Sequence, residues 1–278
     1  LRSSCIITTK YFSRKKRHQS GKAVRKFLAE WLAAIPGDEV EVVEWRGGKA
    51  HNIIPRDAAA VVTLSDPTGA LAAGHRVRER WTSFLPANDR SLTLALDVHG
   101  DSGGDVVAPE DLAAVLGFLL AFPHGAHAYD LPSNRELVAL SNNLAKSLLV
   151  RDQFYLLSSL RFFDRGECVS LEERVRALAR GFGLTVSSHG EYPSWKPVRE
   201  NALLDLVAGR FEALFNRRPK VTAIHAGLEC GILRDRIGPI DAVSFGPTIT
   251  GAHSPQERVH APSVEGFWEL LREVLRAL

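Results

Sequence analysis

Two apolar-rich runs, residues 137–150 and 153–162, contain neither glycine nor proline and are separated only by Arg151-Asp152. Runs of this length around a two-residue connection read as two long strands of one hairpin. A two-residue connection returns the chain only antiparallel, because a parallel partner needs a crossover of a dozen residues or more. The fold therefore has to accommodate a long antiparallel pair, which excludes an all-helical bundle and an all-parallel sheet.

Helical periodicity surrounds this pair. Val24, Phe27, Leu28, Trp31 and Leu32 recur at spacings of three and four within a helix expected over 21–34, which Pro36-Gly37-Asp38 stops. Strands are expected over 40–45 and 58–64 on either side of the turn Arg46-Gly47-Gly48-Lys49, and another over 91–98. Further helices are expected over 69–84, over 109–122 with Pro109 in the first turn, and over 171–182 with Gly183 as C-cap, followed by a strand over 184–188. Pro193, Trp195 and Pro197 interrupt any regular element and mark a boundary within 191–199. Beyond it the pattern reads helix (201–215), strand (221–225), short helix (228–233), strand (242–245) and helix (264–278). These last eighty or so residues are few for an independent core. The fold class is α/β in the α+β sense, with antiparallel strand pairs and helices and no short-period repeat.

Bulk composition narrows the function classes. At 278 residues, 45% hydrophobic and 24% charged, the chain suits a globular protein of two domains. Its most apolar window, 112–122, is too short to cross a bilayer, and no secretory signal is visible. Three widely spaced cysteines, Cys5, Cys168 and Cys230, argue against a disulfide framework and for a reducing compartment, the cytoplasm. The net charge is only +3, yet Lys10, Arg14, Lys15, Lys16, Arg17, Lys22, Arg25 and Lys26 are clustered. Without stacking aromatics beyond Tyr11 and Phe12 this reads as a solvated basic arm rather than a nucleic-acid interface. The chain has no methionine and begins with Leu1, so the reading is of part of a longer product, or of a truncated or miscalled reading frame.

Near the C-terminus, Gly246-Pro247-Thr248-Ile249-Thr250-Gly251-Ala252-His253-Ser254-Pro255 places a histidine on a Gly/Pro-rich loop after an apolar run. Such loops present catalytic and metal-binding side chains, although a lone histidine there is often structural. Upstream lie Ile224-His225-Ala226-Gly227-Leu228-Glu229-Cys230-Gly231 and Tyr192-Pro193-Ser194-Trp195-Lys196-Pro197. Further matches are Pro123-His124-Gly125, Ser141-Asn142-Asn143-Leu144 and Asn52-Ile53-Ile54-Pro55-Arg56. Together these words resemble the aminoacyl-histidine dipeptidases, Xaa-His dipeptidases of a carnosinase-like zinc metallopeptidase superfamily. The resemblance runs from about Gly21 onward.

Residues 1–20 form an atypical basic N-terminal segment outside that resemblance, which implies a lid and dimerisation domain over 21–192 and the C-terminal half of a catalytic domain over 193–278. It implies that His253 is a zinc ligand, that Asn52 and Arg161 of the lid contact a dipeptide substrate, and that Gly227 and Glu229 lie against the substrate's C-terminal part. Asn143 and His124 match family positions without an assigned role. The family's remaining ligands for two zinc ions and its general base, a glutamate, belong to a first half that cannot be placed here, so no catalytic residue is identifiable. Asp97, His99 and Asp101 alternate as ligands on a strand would, but fall in the lid and suit a turn instead. Residues 3–9 depart from the family's entry to the lid, whose histidine is missing and is not replaced by His18. A local frame disruption would produce this. The expectation is a Zn²⁺-dependent, Xaa-His-type dipeptidase lineage, a homodimer through the lid, and a chain inactive unless a missing N-terminal half is supplied. The alternative is a non-catalytic dimerisation or interaction protein derived from the lid.

Overall fold

A computed structural model gives the fold, describing residues 3–11, 24–85, 91–99, 104–130, 137–151, 153–198, 200–223, 229–252 and 256–278. The chain divides into two compact units, Leu1–His189 and Gly190–Leu278. Sequence reading set this border a few residues later, at 192/193.

The first unit is a seven-stranded sheet covered by helices. Its strands are β1 (Ser3–Tyr11), β2 (Val40–Gly47), β3 (Asp57–Leu64), β4 (Leu92–His99), β5 (Gly125–Tyr129), β6 (Val138–Val150) and β7 (Gln153–Phe162). The order is β4-β1-β3-β2-β6, with β7 along the other edge of β6 and β5 beside its N-terminal part. The hairpin expected around residues 151 and 152 forms, with Val150 paired to Gln153 and Arg151 at φ 56°.

Alternation decides which face is covered. Cys5 and Ile7 on β1 lie opposite Val62 and Ala60 on β3, all buried, while the intervening Ile6 and Val61 are half-buried. A period of two sends one set to each face. The buried set meets α1 (Val24–Ala33), α2 (Pro67–Phe84), α3 (Pro109–Ala121) and α4 (Arg165–Gly181) in one core that includes Phe27, Trp31, Trp45, Phe118 and Phe122. Trp31 donates to the carbonyl of Ala70 at 2.7 Å and Trp45 to Ser147 Oγ at 2.8 Å, so the indole N–H groups enter the core already paired. A bulge between Leu144 and Lys146 interrupts the alternation on β6, and Leu144 and Ala145 are both buried.

Three sequence expectations are corrected here. Lys10, the first residue of the expected basic arm, belongs to β1, an inner strand paired with β3 and β4. Cys5-Ile6-Ile7-Thr8-Thr9 carries β-forming residues whose partners lie some 50 to 90 positions away, which local reading does not reveal. Arg25 and Lys26 are not arm residues either. Both lie on α1, Arg25 is fully buried, and Lys26 Nζ donates to the carbonyl of Leu120 at 2.9 Å. Lys10 lies on β1 and Arg14, Lys15, Lys16, Arg17, His18 and Lys22 lie outside the described residues. Finally, 184–188 is not a strand. Its polar groups turn to α4, where Arg176 donates to the carbonyl of Val186 (3.0 Å), to Ser188 Oγ (2.7 Å) and to Glu172 (2.7 Å). Helix α4 itself begins six residues before the expected start because Asp164 caps it, accepting from the N–H groups of Gly166 and Glu167.

The second unit contains α5 (Ala202–Phe215), α6 (Glu229–Ile237), the short strands β8 (Ile249–Thr250) and β9 (Arg258–Val259), and α7 (Pro262–Leu275). Val207 of α5 packs with Leu270 and Val274 of α7, joined by Phe211, Phe215, Val243 and Phe245. Asn201 caps α5 through Leu204 N–H and also donates to the carbonyl of Ala242. The expected strand over 242–245 does not form. A strand needs a ladder partner, and among the described residues this segment has none, contributing Val243 and Phe245 to the core instead. Residues 221–223 are likewise not strand. Among the described residues no helix is long and apolar enough to cross a membrane.

Candidate functional site

Asn52 and Arg161 lie 109 positions apart in sequence, and the first unit brings them to one region of its sheet. After β2 the chain turns through Gly48, at φ 77°, where a Cβ would fall 2.0 Å from the carbonyl oxygen of Ala145. Only glycine fits that conformation and that approach. A turn follows in which the N–H of Ile53 meets the carbonyl of Ala50 at 3.4 Å, and Asn52 is exposed at its tip. Asn143 of β6 reaches this turn, its Nδ2 donating to the carbonyls of His51 (3.3 Å) and Ile53 (3.1 Å).

Register supplies Arg161. Ser141 is paired with Arg161 and Asn143 with Ser159, so these four residues share one face of the β6/β7 pair. The residues between them, Asn142 and Leu160, point to the helix-covered side, where Leu160 packs against Leu140, Cys168 and Leu171. Arg161 is exposed on the open side. An asparagine amide can donate and accept, and a guanidinium offers a fork matched to a carboxylate.

The backbone beneath is fixed by His124. Its Nδ1 accepts the N–H of Leu144 at 3.0 Å, which places the proton of a neutral ring on Nε2. Asn142 Nδ2 donates to the carbonyl of Pro123 at 2.9 Å. His127 Nε2 lies 3.4 Å from the same oxygen, and burial lowers the pKa of that imidazole. The His124, Asn142 and Asn143 stretches noted in sequence thus form one polar seam along β6. Their bonds span 19 to 92 positions, so sequence alone could not join them.

A groove of about 630 Å³ lies on the other face of β7, lined by Phe118, Phe122, Phe154, Phe182, Leu184 and Val186. It includes neither Asn52 nor Arg161.

In the second unit, β8 and β9 pair as Ile249 with Val259 and Thr250 with Arg258, closing the loop to which His253 belongs. Thr248 N–H bonds Ser263 Oγ (2.8 Å) and His260 N–H bonds the carbonyl of Thr248 (2.9 Å), anchoring the loop base to the start of α7. His253 itself lies outside the described residues, as do Gly227 and His225. Glu229 is exposed in the first turn of α6, where a carboxylate is favoured by the helix dipole. Gly231 permits close contact: a Cβ there would fall 2.7 Å from the carbonyl oxygen of Pro193. Asp97 and His99 are exposed on edge strand β4, and Asp101 lies outside the described residues. Among the described residues no group of three or more His, Cys, Asp or Glu could hold a metal ion. Those residues do not by themselves make up a zinc centre.

No protein-family model matches the sequence. The chain is 30% identical over 260 residues to the cytosol non-specific dipeptidase of Escherichia coli (strain K12), covering 91% of this chain and 52% of that protein. The crystal structure of the aminoacylhistidine dipeptidase from Vibrio alginolyticus superposes with a TM-score of 0.81 at 25% identity, over 100% of this chain and 58% of that one. Fold and sequence together make this a mixed α/β chain similar to part of these two dipeptidases. It is related to these dipeptidases and corresponds to a part of one, spanning about half the length of the curated relative it matches.

Proposed function

We propose that the chain is the lid and C-terminal catalytic portion of a Zn²⁺-dependent cytoplasmic dipeptidase acting on Xaa-His dipeptides of the β-alanyl-histidine type. The observation that carries this reading is the fold correspondence along the entire chain to part of an aminoacylhistidine dipeptidase. In this reading Asn52 and Arg161 hold the dipeptide backbone and carboxylate, Gly227 and Glu229 line the site of its C-terminal part, and His253 contributes one zinc ligand. Zinc, when bound, supplies a Lewis acid and an activated water. Catalytic zinc sites use about three protein ligands, so His253 acts only together with groups from a complementary N-terminal portion.

Mixing the chain with a separately expressed N-terminal portion of a related dipeptidase tests this. Zn²⁺-dependent hydrolysis of β-alanyl-histidine by the mixture, by neither part alone, and not with His253→Ala, is the expected result. Hydrolysis by the chain alone would refute the assignment of the missing ligands.

A second reading, homodimerisation through the lid with or without catalysis, is favoured by the outer strands. Among the described residues β7 pairs only with β6 and β4 only with β1, leaving two long strand edges. A monomer across micromolar concentrations in light scattering would rule it out.

A further inference from the structure

We infer that Asn143 is the positioning residue for Asn52, holding the turn that presents it; the inference rests on the reading of Asn52 and Arg161 as peptide-binding groups. The two carbonyls that Asn143 engages belong to His51 and Ile53, the residues on either side of Asn52. An asparagine amide has two N–H groups on one nitrogen, and here each is committed to one side of the turn. The turn's own bond, from Ile53 N–H to the carbonyl of Ala50, is long at 3.4 Å, and His51, Asn52 and Ile53 are all exposed. Few other bonds among the described residues tie the tip down, and such segments open easily.

Asn143 is itself held from beneath. Its backbone pairs with Ser159, and the next residue's N–H is taken by His124 Nδ1 at the bulge. Because Ser159 and Arg161 share its face, a side chain fixed at 143 sets the turn's place relative to Arg161 as well. The Oδ1 of Asn143 is buried with no hydrogen-bond partner among the described residues. That unmet acceptor opposes folding, so the two donated bonds add little net stability and act chiefly on the turn. The residue thus fits a positioning role better than a stabilising one.

The test uses the full chain with Asn143→Leu and Asn143→Asp, neither of which carries an N–H donor at neutral pH. Amide exchange by NMR at Ile53, against Val62 of β3 as internal control, is read beside titration with β-alanyl-histidine. Ile53 exchange is expected to rise roughly tenfold or more with Val62 unchanged, and dipeptide affinity to fall by a similar factor, the same fall expected of Asn52→Ala. Should the leucine variant lose Val62 protection, the aspartate variant, of native size, decides. Unchanged Ile53 exchange, or affinity lost in Asn52→Ala but kept in both Asn143 variants, overturns the inference. If Asn52→Ala and Arg161→Ala leave dipeptide binding unchanged, or the unaltered chain binds none, the peptide-site reading fails, and Ile53 exchange still decides whether Asn143 holds the turn.

Discussion

Arg25 offers the sharpest test of how this fold balances burial against charge. It is fully buried on α1, with one hydrogen bond, from Nη1 to the carbonyl of Ala145 at 3.1 Å. Its Nε and Nη2 have no hydrogen-bond partner among the described residues. Burial pushes the guanidinium down to about 9, well below the ordinary arginine value, against a partial pull upward from Asp57. At ~1.4 kcal/mol per pH unit, keeping that charge inside costs about 5 kcal/mol. Arg25→Met retains the apolar stem that packs on Gly47 and removes the charge. The bond to Ala145 is lost with it, and a carbonyl released in the interior costs roughly 1–3 kcal/mol. The variant is therefore expected to gain about 2–4 kcal/mol at pH 7, in line with other buried charges replaced by apolar groups. Urea unfolding followed by tryptophan fluorescence measures it, since Trp31, Trp45 and Trp81 are buried in the same unit. The sign of the pH effect is fixed: above about 9 the unfolded chain holds a proton that the folded chain has released, so the native protein gains stability as pH rises through that value. The variant's advantage should shrink from pH 8 to pH 10.5. A loss of 1 kcal/mol or more at pH 7, with a gap that does not narrow, would refute the reasoning.

Gly48→Ala should destabilise by roughly 2–4 kcal/mol, since φ is 77° and the new methyl meets the Ala145 carbonyl; urea midpoints check this. Arg151→Asn should add about 0.5 kcal/mol, because asparagine tolerates φ 56° and the exposed 3.5 Å pair with Asp105 contributes little. Hydrogen bonds from Ser188 and Arg176 hold the Glu172 carboxyl below its ordinary 4.5. Its stabilising effect is complete above 4.5 and lost as pH falls through the lowered value, so Glu172→Gln should flatten the acid limb of a pH–stability curve. Cys5 and Cys168 are buried and Cys230 partly exposed, so a thiol reagent should modify Cys230 first in the native chain and all three in urea.

Much of the framework was readable from local chemistry. The hairpin at Arg151, the helices opened by Pro109 and stopped after Ala33, and the strands before and after Gly48 follow from period, turn residues and caps within a dozen positions. Asp164 as an N-cap was equally available and extends α4 beyond the apolar pattern. β1, β5 and the state of 184–188 were not readable, because each depends on which distant backbone or side chain takes its hydrogen bonds.

The same division holds for the site. Sequence alone determined the residue types and their family resemblance: Asn52 beside a proline-closed turn, Arg161 on a long strand, and His253 on a Gly/Pro loop. Only tertiary structure decided that Asn143 clasps the turn at Asn52, that strand register sets Arg161 on the same face, and that Arg25 is buried without full compensation. Periodicity records which way a side chain points along its own element. Which partner waits there depends on the pairing of strands some hundred residues apart.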